Sequence, residues 1–191
     1  MTGDGRDRLA RLKPLAASEI ARLIAADGAP ADAVSRGETR VVPFAEAVQA
    51  AGLAETERVL AEISTEGVID WRRFDVTRFG SLMPSLATLD RIEGAEGGVD
   101  FRYRFCGETI EEVAQRKLRG ARLSEILVGS ARPSILAEYD ACLRDRTPRA
   151  SAGQVVISDM TWLRYLRVLH PAATDGTTPD RLLLIMLFAE G

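Results

Sequence analysis

At 191 residues and 20.8 kDa the chain has room for one domain with an extension. Its 46% hydrophobic and 28% charged residues exclude wholesale disorder, and the longest apolar run, Leu182 to Ala189, falls far short of the roughly 20 residues that span a bilayer. A net charge of −3, with 11 acids and 8 bases in residues 1–66 and 17 of each in residues 67–191, leaves no basic region for a dedicated nucleic-acid binder.

The first residues mix acids with bases and lack an apolar core, so no secretory signal is read there. Two cysteines, Cys106 and Cys142, and one histidine, His170, are too few for a disulfide framework or an ordinary Cys/His zinc site. The expectation is a reduced, soluble, cytoplasmic protein with no nucleic-acid or membrane partner. Arginine outnumbers lysine 23 to 2, which beside the many alanines reads as the codon bias of a GC-rich genome.

Residues 1–66 read as helices. Leu9, Leu12, Leu15, Ile20, Leu23 and Ile24 recur near helical spacing, broken at Pro14, with Ser18 placed to cap a new helix. Asp27-Gly28 and Pro30 form a stop. Short amphipathic helices are predicted from Phe44 to Ala51, ended by Gly52, and from about Glu55 to Ser64, ended by Gly67. Helices this short need something to pack on.

After Gly67 the pattern changes. A strand from Ser85 to Ile92, a glycine-rich connector from Glu93 to Gly98, and an alternating strand from Val99 to Phe105 form a hairpin. Strict alternation puts Phe101, Tyr103 and Phe105 on one face and Arg102, Arg104 and Cys106 on the other. Helical pieces follow at Glu108–Ala114 and Leu123–Leu127, and Pro133 opens a longer helix to about Arg144. Three strands close the chain, at Gln154–Ser158, Thr161–His170 and Arg181–Phe188, the last two joined by a turn at Asp175-Gly176. The fold class is α+β, with a five-stranded antiparallel sheet carrying short helices and one longer helix on one face. A helical extension over residues 1–67 precedes a domain over residues 68–191.

This β-β-α-α-α-β-β-β order resembles a PAS domain. The stretch Phe101-Arg102-Tyr103-Arg104-Phe105-Cys106-Gly107-Glu108-Thr109-Ile110 is similar to the second strand and helix entry of a divergent PAS family frequent in alphaproteobacteria. Gly120-Ala121-Arg122-Leu123-Ser124-Glu125-Ile126 resembles the segment before that family's long helix. Tyr165 to Pro171, followed by Asp175-Gly176, looks like its penultimate strand, and Trp71 and Pro84 sit where its entry often holds a Trp and a Pro. The resemblance covers residues 68–191 and leaves the first third unexplained. It implies a curved sheet enclosing a pocket, and hence a sensory or regulatory protein of bacterial signal transduction.

The ligand-binding candidates on the inner face are Tyr103, Phe105, Tyr139, Tyr165 and Met186. Neither a haem ligand nor a photoreactive flavin cysteine is recognised, because His170 ends a strand and neither Cys106 nor Cys142 stands in the helix motif such chemistry uses. No nucleophile elbow or phosphate loop is present, so no catalytic and no metal-binding residue is assigned. Leu166, Val168 and Trp162 would form an apolar outer patch, for which the N-terminal helices are the natural cover, in cis or across a homodimer.

The expected function is therefore non-enzymatic. The protein would bind a small ligand of unknown identity, a signalling protein, or both, and signal through dimer and N-terminal helix rearrangement. The alternatives are an interaction module with a filled core and a small cone-shaped α+β enzyme. A cavity lined by tyrosines with no acid pair would favour the sensor, a solid core the interaction module, and a buried carboxylate beside Tyr or His the enzyme.

Overall fold

The computed structural model describes residues 18, 22–23, 39–127, 131–158 and 161–190. Eight strands form one open sheet: β1 (Thr39–Val42), β2 (Ser64–Thr65), β3 (Val68–Asp70), β4 (Leu86–Glu93), β5 (Val99–Cys106), β6 (Arg149–Ser158), β7 (Thr161–Ala173) and β8 (Arg181–Glu190). The spatial order is β1-β6-β7-β8-β4-β5, all antiparallel, with β2 paired to β3 and β3 lying parallel to the end of β7. The α-helices that lie wholly within the described residues are α1 (Phe44–Ala50), α2 (Ala54–Glu62), α3 (Glu108–Ala114), α4 (Leu123–Ile126) and α5 (Ala131–Arg144).

The α+β class and the antiparallel sheet stand, but the sheet has eight strands where the pattern predicted five. Two of the additions fall in the supposedly helical first third. β1 is only four residues long and exists because it pairs with the free edge of β6, from Thr39↔Gly153 to Val42↔Ala150. β2 and β3 are joined by Glu66-Gly67, both at positive φ (51° and 81°), so Gly67 is a hairpin turn rather than a helix stop. A Cβ at Gly67 would lie 2.6 Å from the Arg146 carbonyl oxygen, which requires glycine there. Of the predicted helices around Leu9 to Ile24, only Ser18, Arg22 and Leu23 are described. All three are helical, and Leu23 is buried.

β6 begins at Arg149, five residues before its predicted start, because the Ala150-Ser151-Ala152-Gly153 run has little intrinsic strand preference. Its partners on both sides make it a strand: β1 on one edge and β7 on the other. β7 likewise runs on through Pro171. That residue lies in the gap between the last pairing with β6 at Leu169 and the first with β3 at Ala172. α5 starts at Ala131, leaving Pro133 in its first turn, where a missing N–H costs nothing.

Alternation splits the apolar side chains into two cores. Leu166, Val168, Ala172, Leu183 and Ile185 pack against Ala47 of α1, Leu53, Leu60 of α2 and Ile63. Leu169, Leu182 and Leu184 pack on the opposite face with Ile110, Leu123, Ile135, Tyr139 and Leu143 from α3 to α5. The sheet is thus a middle layer between α1–α2 and α3–α5. The patch at Leu166 and Val168 is covered by the chain's own helices. Trp162 lies outside the residues whose side chains are described.

The alternation of β5 fails at one place. Thr88 and Leu89 of β4 are consecutive, yet they pair with Phe105 and Tyr103, which leaves Arg104 as an extra residue. This bulge reverses the parity of the strand end. Phe101 and Tyr103 are buried as predicted, but Phe105 is turned to the other face and is 36% exposed. Cys106 takes the inner position instead, half-buried against the α3–α5 core.

Candidate functional site

All three tyrosines of the chain, Tyr103 of β5, Tyr139 of α5 and Tyr165 of β7, converge on the helical face of the sheet around Arg167. Strand alternation puts Arg167 on the face of Tyr165 and Leu169, so its side chain enters the core beneath α5. Its guanidinium carbon lies 5.1 Å from the Tyr139 ring centre and 5.8 Å from that of Tyr165. Nε donates to Ser151 Oγ at 3.0 Å, and Nη2 donates to Glu138 Oε2 and, at 3.4 Å, to Thr39 Oγ1. The small residues of β6 make room for this contact, and Ser151 is completely buried.

Arg167 and Glu138 are 3% and 8% exposed, so a full ion pair sits in a low-dielectric core. Burial opposes the charge of Arg167, but Tyr139, Glu138 and Tyr165 outweigh it, and the guanidinium pKa is raised. Burial pushes Tyr139 up to about 12 and Tyr103 well above its ordinary value, so both remain neutral phenols. Glu138 Oε1 is buried with no hydrogen-bond partner among the described residues. A buried carboxylate oxygen without a donor is costly, and it marks a place where a donor from elsewhere would be stabilised.

Of the five ligand candidates, Tyr103, Tyr139 and Tyr165 are brought together. Met186 joins them, since it pairs with Arg167 across β7–β8 and packs half-buried on the same core. Phe105 does not, because the bulge carries it to the opposite face. The residues absent from the sequence prediction are Arg167, Glu138 and Ser151. Arg167 was detectable, being a cation at an inward position between Tyr165 and Leu169.

On the other face, His170 is buried against α1 and α2. Its ring meets Phe44 edge-on, 5.6 Å between centres, and Nε2 lies 3.1 Å from Glu57 Oε1. Neither atom achieves hydrogen-bond alignment, so the contact is one of proximity. Both cysteines are free thiols, and burial pushes Cys106 up to about 12 and Cys142 upward as well, which leaves them unreactive at neutral pH.

Two hollows flank Phe105. One, about 380 Å³, is lined by Trp71, Phe74, Leu86, Leu183 and Phe105; the other, about 580 Å³, by Arg104, Cys106, Glu111, Lys117, Arg119 and Phe105. Neither reaches the tyrosine cluster.

Among the described residues no group of His, Cys, Asp and Glu gathers to hold a metal ion, and no helix is long and apolar enough to cross a membrane. No protein-family model matches the chain, and no curated protein or solved structure shows significant similarity to it.

Proposed function

We propose that the chain is a non-enzymatic sensory or regulatory protein of PAS-like build that binds a small organic ligand at the tyrosine–arginine cluster. Signalling would proceed by repositioning the α1–α2 layer within a homodimer, with a signalling protein as its reader. The observation that carries the reading is the donorless Glu138 Oε1, held beside Arg167, whose guanidinium lies over the Tyr139 and Tyr165 rings. A ligand that donates a hydrogen bond to Glu138 and lies against Tyr139, Tyr165 and Met186 satisfies that oxygen. The element order β-β-α-α-α-β-β-β from Leu86 to Glu190 and the three helices on one face support the build. The α1–α2 layer covering Leu166 and Val168 supports those helices as the output.

The buried carboxylates also favour a second reading, an enzyme, because Glu138 neighbours Tyr139 and Glu57 neighbours His170. Two observations weigh against it. Arg167 already neutralises Glu138. His170 is buried beneath α1 and α2, with Glu57 supplied by α2 itself, and neither hollow reaches the pair.

Native mass spectrometry of the purified protein, with a denatured aliquot beside it, tests the proposal. The expected result is a dimer carrying extra mass that is lost on denaturation. A dimer of bare polypeptide mass points instead to an interaction module with a filled core. A bare monomer overturns the dimeric reading and favours the enzyme.

A further inference from the structure

The two hollows beside Phe105 lie at the end of β5, and neither reaches the tyrosine cluster, which does not explain them. We propose that together they form a second binding site, for a small aromatic carboxylate, with the ring of the ligand in the Trp71 hollow and its anionic group in the Arg119 hollow.

The bulge at Arg104 creates the arrangement. It exposes a phenylalanine that regular alternation would bury, and it leaves Phe105 as the wall shared by both hollows. Bulges commonly re-aim a side chain beside a functional site. The first hollow is aromatic and preformed. Trp71 stacks on Phe74 with ring centres 4.3 Å apart, and Phe74 on Phe79 at 5.2 Å, so the stack gives this hollow a rigid aromatic wall. Each hollow has the volume of a small-molecule site.

Charge determines the polarity of the occupant. In the second hollow Glu111 is already engaged, accepting from Lys117 Nζ at 2.7 Å and from the Leu118 amide at 3.0 Å. Those bonds hold its carboxyl below the usual range. Arg104 pairs with Asp90, but Asp90 is shared with Arg181, whose Nε donates to it at 2.8 Å. Arg181 in turn lies 4.8 Å from the Trp71 ring centre.

Asp75, in the ring hollow, is satisfied by the Thr77 amide and hydroxyl at 2.9 and 2.7 Å. Of the cations that line the second hollow, Arg104 pairs with Asp90 and Lys117 with Glu111, with the charge of Glu108 also near Lys117. The cation left over is Arg119, exposed and without an acidic partner among the described residues. A guanidinium in that position receives a carboxylate through paired hydrogen bonds.

The chain contains two tryptophans, so Trp162→Phe leaves Trp71 as the sole reporter. Titration with 3-phenylpropionate should change its fluorescence saturably, and the neutral 3-phenylpropan-1-ol should bind about tenfold more weakly. Arg119→Gln and Phe105→Ala, both at exposed positions, should each weaken phenylpropionate binding by a similar factor. Tyr139→Phe, in the other site, should leave it unchanged.

Calorimetry of the unaltered chain with the same two compounds repeats the comparison without the tryptophan substitution. Equal binding of acid and alcohol, full affinity in Arg119→Gln, loss of affinity in Tyr139→Phe, or no saturation at millimolar phenylpropionate would each overturn the proposal. None of these results depends on whether the tyrosine cluster holds a ligand.

Discussion

Successive residues of β7 enter two different environments. Leu166, Val168 and Ala172 meet the α1–α2 layer through apolar contacts, and His170 on the same side touches Glu57 without a hydrogen bond. Tyr165 and Arg167, pointing the other way, meet α5 through a buried ion pair and a guanidinium set over the Tyr139 and Tyr165 rings. Apolar packing is non-directional and permits a layer to shift across a sheet at modest cost. A buried ion pair with its hydrogen bonds permits only one geometry. That contrast is the reason the proposed output is placed on the α1–α2 side.

The largest effect should come from the rigid face. Arg167→Met strands Glu138 in the core and should cost about 4 kcal/mol in urea unfolding. Pairing it with Glu138→Leu should recover much of that loss, since two apolar groups need no partner. A double variant no better than Arg167→Met would break the contrast, because the pair would then not be what orders this face.

On the apolar face Leu166→Ala should cost about 3 kcal/mol, from lost transfer energy and a cavity under α1–α2. Hydrogen exchange should rise in α1 and α2 and stay unchanged in α5. Equal rises on both faces would mean that the two layers open as one unit.

The smallest effect belongs to the bulge. Phe105→Ala should cost less than about 1 kcal/mol, the ordinary value for an exposed position, whereas Tyr103→Ala two residues earlier should cost about 3 kcal/mol. Comparable losses at the two positions would put Phe105 back in the core and remove the bulge.

Local signals carried much of the fold into view. The hairpin β4–β5 was readable from its glycines and alternation, α3 to α5 from their spacing and their Gly and Pro boundaries, and the β7–β8 turn from Asp175-Gly176. At that turn the Asp175 carboxylate accepts from the Thr178 and Thr177 amides, at 2.7 Å each, and is held well below the usual carboxylate range. The tyrosine cluster was half legible, because aromatic residues on one strand parity suggest a common face. Its charged centre was not, because the distance from Arg167 to Glu138 depends on how α5 crosses β7, and no periodicity encodes a crossing.

What the sequence determined by itself is therefore what neighbouring residues settle between them: element type, punctuation, and which side chains alternate together. What only the tertiary structure decided depends on partners far along the chain. β1 and the first half of β6 are strands because each supplies the other's hydrogen bonds across more than a hundred residues. The parity of β5 changes at Arg104 because β4 opposes two of its residues with one. Backbone groups pair with whatever edge folding presents to them. That pairing, which no local pattern records, turned Phe105 outward and set Arg167 beside Ser151.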